Sequence, residues 1–162
     1  MTAPLVHQPD PRLDLVFERV VAPAPEFLWR GWTVPEQLKK WFTPAPWKTV
    51  DCEIDLRPGG KFRTVMRGPE GQEFDNTGCI LEVVPNRKLV WTGALGPGYR
   101  PRPAALQVPF VMTAIITLQP QGSGTLYTAL VVHGDEDSRK AHEKMGFQEG
   151  WGKALEQLVA LA

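Results

Sequence analysis

The chain has 162 residues, 43% of them apolar, 9% aromatic and 22% charged. That length suits one domain with a real core. Its 18 Lys and Arg balance its 18 Asp and Glu, so the basic surplus that marks a nucleic-acid binder is missing. No apolar run approaches the ~20 residues of a membrane span, and the N-terminus lacks the basic start and apolar stretch of a secretory signal. Cys52 and Cys79 are too few for a disulfide framework, and no CxxC or Cys/His spacing suggests a metal. These features point to a cytoplasmic domain.

Residues 1–12, with Pro4, Pro9 and Pro11, read as a loose arm, and 13–162 as a single domain. Leu13 to Val21 is a strand with Leu13, Leu15 and Phe17 on one face. Pro23 and Pro25 stop it and preset a helix start, and Glu26 to Trp32 follows as a short helix offering Phe27 and Trp29 for burial. Thr33 is placed to cap a second helix, with Pro35 in its first turn and Leu38, Trp41 and Phe42 on its apolar side. Pro44 and Pro46 end it.

Beyond Trp47 the pattern is strands separated by turns. Cys52, Ile54 and Leu56 alternate with charged residues. Pro58-Gly59-Gly60 reads as a type II turn, with Pro second and Gly third. Phe62, Thr64 and Met66 share a face of the strand Lys61 to Arg67, and Gly68 to Gly71 turns again. Further strands run from Glu73 to Val84, Lys88 to Thr92, Phe110 to Leu118 and Thr125 to His133, which predicts an antiparallel meander. The Gly- and Pro-rich segment Gly93 to Pro109, built around Tyr99, Arg100 and Arg102, suits a lid or binding loop and a tolerated insertion equally.

After His133 the period becomes helical. Asp135 to Asp137 put negative charge at the positive end of a helix dipole. Ala141, Met145, Gln148, Gly152, Leu155 and Val159 form a stripe flanked by Trp151 and Leu158, which predicts one long amphipathic helix. Gly146, Gly150 and Gly152 each cost about 1 kcal/mol against Ala in a helix interior, so a kink, close packing or space over the sheet is expected there. A curved sheet needs an apolar cover, and this helix is the element long enough to supply it. The tapering space between them is where a ligand fits.

The standard catalytic motifs are absent: no HExxH, no GxSxG elbow, no phosphate-binding GxxxxGK[ST]. No cofactor is expected. On strand parity, Phe62, Met66, Leu89, Trp91, Phe110, Met112, Ile116, Tyr127 and Val131 share a face with the small residues Thr64, Ala114, Thr125 and Ala129. Large side chains at the ends with small ones between leave room for a cavity. The candidate ligand-binding set is therefore Phe62, Thr64, Met66, Trp91, Phe110, Met112, Ala114, Tyr127 and Ala129, with His133, Met145 and Glu149. For any one member, ordinary core packing is the competing reading. Glu149 shares an edge with His142 and Met145; tipped into an apolar cavity its carboxyl is a general acid or base, whereas beside Glu143, Lys144 and Lys153 it is a solvated face. His133 is a strand-end hydrogen-bonder or a base. Both cysteines look like small core residues.

Several runs together resemble the SRPBCC (START-like) superfamily: Arg19-Val-Val-Ala-Pro-Ala-Pro-Glu-Phe-Leu-Trp29, Trp41-Phe42 and Asp55-Leu-Arg-Pro-Gly-Gly-Lys-Phe62. Gly78-Cys-Ile-Leu-Glu-Val-Val-Pro85, Leu89-Val-Trp-Thr92, Gly124-Thr125 and Gly150-Trp151 with Leu155 and Leu158 complete the set. The branch it is most similar to is the group resembling the activator of the heat-shock protein 90 ATPase, also labelled polyketide-cyclase-like. The resemblance implies an α+β helix-grip fold, a curved seven-stranded antiparallel sheet around a long C-terminal helix, with a deep cavity for lipids, polyketides or other hydrophobic molecules. It implies no particular reaction, and no catalytic residue transfers. The expected function is binding of a small hydrophobic ligand; the alternatives are a polyketide cyclase or hydratase using a cavity carboxylate, His or Tyr, and a co-chaperone-like interaction module. The chain lacks the extra domain of eukaryotic chaperone activators, which argues against a chaperone partner. A homodimer is compatible with a small neutral chain.

Overall fold

Alternation of apolar and polar residues assembles seven strands into one antiparallel sheet in a computed structural model that describes residues 8–103 and 108–162. The strands are β1 (Asp14–Val21), β2 (Lys48–Ile54), β3 (Lys61–Arg67), β4 (Glu73–Val84), β5 (Lys88–Thr92), β8 (Met112–Gln121) and β9 (Gly124–His133). Their order is β1-β9-β8-β5-β4-β3-β2. The meander from β2 to β9 is therefore closed by β1, which returns beside the last strand with Phe17 opposite Ala129. Side chains two apart share a face, so one concave row reads Leu15, Val131, Ala114, Trp91 and Ile80 across five strands.

The Pro-Gly-Gly turn forms as expected. Gly60 N–H donates to Arg57 O at 2.8 Å, and Gly59, third in the turn, has φ +83°, a conformation open to Gly and costly for residues with a Cβ. The segment after β5 is less irregular than its composition suggests. A small ribbon, β6 (Leu95–Gly96) with β7 (Arg100–Pro101), encloses a 3-10 turn at Pro97–Tyr99. Gly98 N–H donates to Gly59 O at 2.7 Å, which pins this ribbon to the Pro-Gly-Gly turn. Within the Gly93 to Pro109 segment, residues 104–107 lie outside the described residues, as do residues 1–7 of the N-terminal arm.

Two short helices, α1 (Pro25–Thr33) and α2 (Pro35–Leu38), follow β1. Thr33 does not cap α2, whose N-cap is Val34; the Thr33 hydroxyl donates back to Trp29 O at 2.7 Å within α1. A hydroxyl at the end of a helix has that carbonyl within reach and takes it. Buried Leu28, Trp29 and Trp32 from α1, with Leu38 and Trp41, bring the large rings over the sheet.

The expected single C-terminal helix is two. α3 (Glu136–Lys144) is capped by Asp135, whose carboxylate accepts Ser138 N–H at 2.7 Å, and α4 (Phe147–Val159) carries the chain onward. The expected kink falls at Gly146, which is left-handed at φ +88°. That residue resets the helical phase: His142 is buried in α3, and Phe147, Ala154, Leu155 and Leu158 are buried in α4, while Gln148 is exposed. Among the described residues, no helix is long and apolar enough to cross a membrane.

Candidate functional site

Phe62 and Trp91 from neighbouring regions of the concave face stack at 4.8 Å between centroids. Three rings brought in by the helical segment lie against them. Trp32 is 6.4 Å from Trp91, and Phe42 is 6.1 Å from Phe62 and 6.5 Å from Trp91. Trp41 completes the cluster, 5.0 Å from Trp32, and its indole N–H donates to Gly31 O. Much of the space that parity alone assigns to a ligand is thus filled by residues that come from the first third of the chain.

Polar atoms within this cluster separate into paired and unpaired. The Trp32 indole N–H donates to the Tyr127 hydroxyl at 3.1 Å, and burial pushes the Tyr127 phenol well above its ordinary pKa. Tyr127 is therefore a neutral acceptor sealed in the core. Trp91 differs: it is only 8% exposed, and its Nε1–H has no hydrogen-bond partner among the described residues.

Of the other expected site residues, Thr64, Ala114 and Ala129 are buried on the same face, while Met66 and Met112 are half-buried. Met66 opposes Phe74, which is 52% exposed and stacks on Trp47 at 5.7 Å. The β3–β4 end of the concave face is thus apolar and open. Phe110, just before β8, does not lie on the sheet with Met112; its ring stacks on His142 at 4.4 Å.

Two expectations are corrected. Met145 is 68% exposed at the end of α3, and Glu149 is exposed in the first turn of α4. Neither faces the interior, because the left-handed Gly146 between them turns the second helix onto Phe147. The buried member of that expected edge is His142. His133 is buried too: its Nδ1 lies 2.9 Å from Leu13 O and its Nε2 lies 3.0 Å from His142 Nδ1. Periodicity alone missed the pair because the two rings meet across a turn, one at a strand end and one on a helix.

Burial, and secondarily the neighbouring His133 charge, lowers the His142 pKa from 6.5 to about 4. The unfolded chain then holds a proton on this ring between those values and the folded chain does not. The associated stability is complete above pH 6.5 and falls as pH drops toward 4. Urea titrations at pH 7 and 4.5 are expected to differ by about 2 kcal/mol more in the parent protein than in His142→Phe. Equal pH slopes in the two proteins would remove this assignment.

Both cysteines are buried and unpaired, as expected of core residues, and burial pushes the Cys52 thiol up to about 11. Among the described residues no cluster of His, Cys, Asp and Glu is arranged to hold a metal. Two cavities stand out. One, of about 380 Å³, is an open groove lined by Glu53, Asp55, Arg57 and Lys61 beside the 3-10 turn; the other, of about 160 Å³, lies between α1 and Leu158 of α4. In the first, Arg57 pairs with Asp55 and Lys61 with Glu53, so its charges are already satisfied.

Comparisons agree with this architecture. The family model described as Activator of Hsp90 ATPase homolog 1-like protein matches residues 22–162. A crystal structure of a protein from Nitrosomonas europaea is 52% identical, covers 94% of this chain and 95% of its own, and superposes with a TM-score of 0.89. A Mycobacterium smegmatis crystal structure is 25% identical over 93% of this chain and 90% of its own, with a TM-score of 0.73. The solution structure of an AHSA1-like protein from Aeromonas hydrophila, at 18% identity, covers 92% of this chain and 94% of its own with a TM-score of 0.71 and shares the fold. No curated protein matches.

Proposed function

The chain belongs to the Activator of Hsp90 ATPase homolog 1-like family, and from that premise we propose that it binds a small hydrophobic ligand on the concave face of its sheet. The family and fold favour a ligand-binding domain in general. The observation that carries the reading is the unpartnered Trp91 Nε1–H, more than nine-tenths buried beside Phe62. A buried donor without an acceptor costs about 1–3 kcal/mol, and a ligand carbonyl or ether oxygen relieves that cost on binding. The ligand is therefore a flat apolar molecule carrying an acceptor. It enters at the open end marked by Met66 and Phe74, and reaching the Trp91 N–H requires the rings of Trp32 and Phe42, which already lie against Trp91, to give way. Phe62, Thr64, Ala114 and Ala129 form the floor, and Tyr127 sits beneath it. The reading includes a cytoplasmic setting and one domain over 13–162 after the arm at 1–12.

An interaction module needs a contiguous apolar patch. The large exposed apolar side chains among the described residues are instead distributed over many elements: Val16 and Val20 on β1, Val34 between α1 and α2, Leu56 after β2, Phe74 and Val84 on β4, Tyr99 in the 3-10 turn, Val108 and Val111 before β8, Met145 after α3 and Leu161 after α4. Mass spectrometry of intact native protein from its own host, followed by organic extraction, tests the binding reading. A stoichiometric apolar compound with an acceptor is expected. With defined probes, 2-acetylnaphthalene is expected to bind about tenfold tighter than 2-ethylnaphthalene, from one buried hydrogen bond. Trp91→Phe should erase that preference while retaining the binding of 2-ethylnaphthalene. Empty native protein with no affinity for either probe would sink the proposal.

A further inference from the structure

Two rings lie against Trp91, and their attachments decide which of them a ligand displaces. Trp32 and Phe42 stand 6.4 and 6.5 Å from it between centroids. Trp32 belongs to α1, is 1% exposed and donates its indole N–H to the Tyr127 hydroxyl at 3.1 Å. Moving it breaks that bond and strands two buried polar groups. Phe42 is half-buried and lies beyond the end of α2, in the irregular segment 41–47. Its side chain is pure hydrocarbon, so its displacement leaves no polar atom without a partner. It also meets Phe62 at 6.1 Å and Trp32 at 5.7 Å, which puts it between the sheet floor and α1. Phe42 is the ring that yields.

One side chain of α4 holds this ring in place. Gln157 Nε2 donates to Trp41 O at 2.9 Å and to Thr43 O at 3.0 Å, the carbonyls on either side of Phe42, and its Oε1 accepts Ala45 N–H at 3.0 Å. A carboxamide offers two N–H donors and a carbonyl acceptor, and Gln157 commits all of them to this segment. The neighbouring residues are fixed independently. The Trp41 indole N–H donates to Gly31 O at 2.9 Å, and the Thr43 hydroxyl pairs with that of Thr49 on β2. The two carbonyl bonds therefore set the backbone direction at Phe42 itself. From this geometry we infer that Phe42 is a plug standing in the aromatic position of the ligand, and that Gln157 is the latch that keeps it there. The part of the ligand that meets Phe62 and Trp91 is then a single six-membered ring, which replaces another of the same size. The inference rests on the ligand-binding reading, and it adds what competes with the ligand and what governs entry. A site whose open form is a minor population binds with an affinity reduced by that fraction. Weakening the plug or the latch therefore tightens binding.

The test titrates 2-acetylnaphthalene at pH 7 into the parent protein, Phe42→Ala and Gln157→Leu. The first variant removes the plug; the second keeps the bulk of the latch and removes its hydrogen bonds. Each is expected to bind the probe about tenfold tighter than the parent. Equal or weaker affinity in both variants overturns the inference and leaves the binding reading standing. Failure of all three proteins to bind overturns both. Amide hydrogen exchange of the unaltered protein decides the matter if the variants do not fold. Saturating probe should speed exchange at Ala45 about tenfold, because its N–H loses Gln157, while amides of the β8–β9 ladder keep their protection. An Ala45 amide that slows or stays the same on binding rejects the latch.

Discussion

Gly60→Ala is expected to destabilise the protein by about 3 kcal/mol, the upper part of the range for forced overpacking. A Cβ at this position collides with the Asp55 carbonyl oxygen and lies 2.9 Å from the Arg57 carbonyl oxygen. Both obstacles are backbone, and the local hydrogen bonds hold them rigidly. Asp55 N–H donates to Lys61 O at 2.9 Å, Ile80 N–H donates to Gly60 O at 2.9 Å, and Gly59 N–H donates to Ile80 O at 2.7 Å. The turn therefore ties the β2–β3 hairpin to β4, and relief of the clash must break one of these ties. The melting temperature should fall by roughly 6–12 °C for a domain of this size. Gly150→Ala is the control: it lies in α4 with nothing within 4 Å of its added Cβ, and alanine should gain up to about 1 kcal/mol there. Similar midpoints for the two variants in urea would show that the backbone around Gly60 gives way and the clash is not real.

Trp32→Ala should cost about 3–5 kcal/mol, the range for removing a fully buried large aromatic side chain. Trp32 is 1% exposed and touches Trp41, Phe42 and Trp91, so its removal leaves rings on three sides without a partner. The Tyr127 hydroxyl loses its donor as well. A double-mutant cycle of Trp32→Phe with Tyr127→Phe isolates that bond, and a coupling of about 1 kcal/mol is expected. A loss under about 1 kcal/mol for Trp32→Ala would mean that the rings above the sheet repack freely. In that case the same cluster is loose enough to admit a much larger ligand than a two-ring aromatic.

The strand pattern was legible because strand parity is local. Phe62, Thr64 and Trp91 lie inward as their alternation predicts, and Pro58-Gly59-Gly60 makes the turn its residue types demand. The order of elements as far as His133 was equally plain; beyond it one long helix was expected, with a kink as one of three readings of its glycines, and the chain forms two. The filling of the space over the sheet was not legible. Trp32 and Tyr127 are separated by 95 residues in the chain and meet through one hydrogen bond, and no local period reports such a meeting. Phe42 and Trp41 are placed by the turn that follows α2, with Gln157 of α4 donating to Trp41 O at 2.9 Å and Thr43 O at 3.0 Å.

The candidate site divides in the same way. Its floor residues follow from alternation, which needs only the chain's own geometry. Its edge does not. Met145 and Glu149 share the expected helical edge with His142 only if the helix runs unbroken, and the left-handed Gly146 breaks it. One such residue rotates everything after it by an amount that three-dimensional packing selects, so Phe147 turns inward and Glu149 outward.

By itself, the order of residues determined the antiparallel strands, the turn chemistry, the acidic start of the helix after His133 and the apolar character of one sheet face, because each depends on neighbours within a few positions. The tertiary structure alone decided that α1 and the turn after α2 fill the grip, that Trp91 keeps an N–H with no partner among the described residues, and that two histidines nine residues apart meet in one buried hydrogen bond, with the second ring nitrogen of His133 on Leu13 O. Those outcomes depend on which groups remain unsatisfied after the core closes, and that balance exists only once every element is in place.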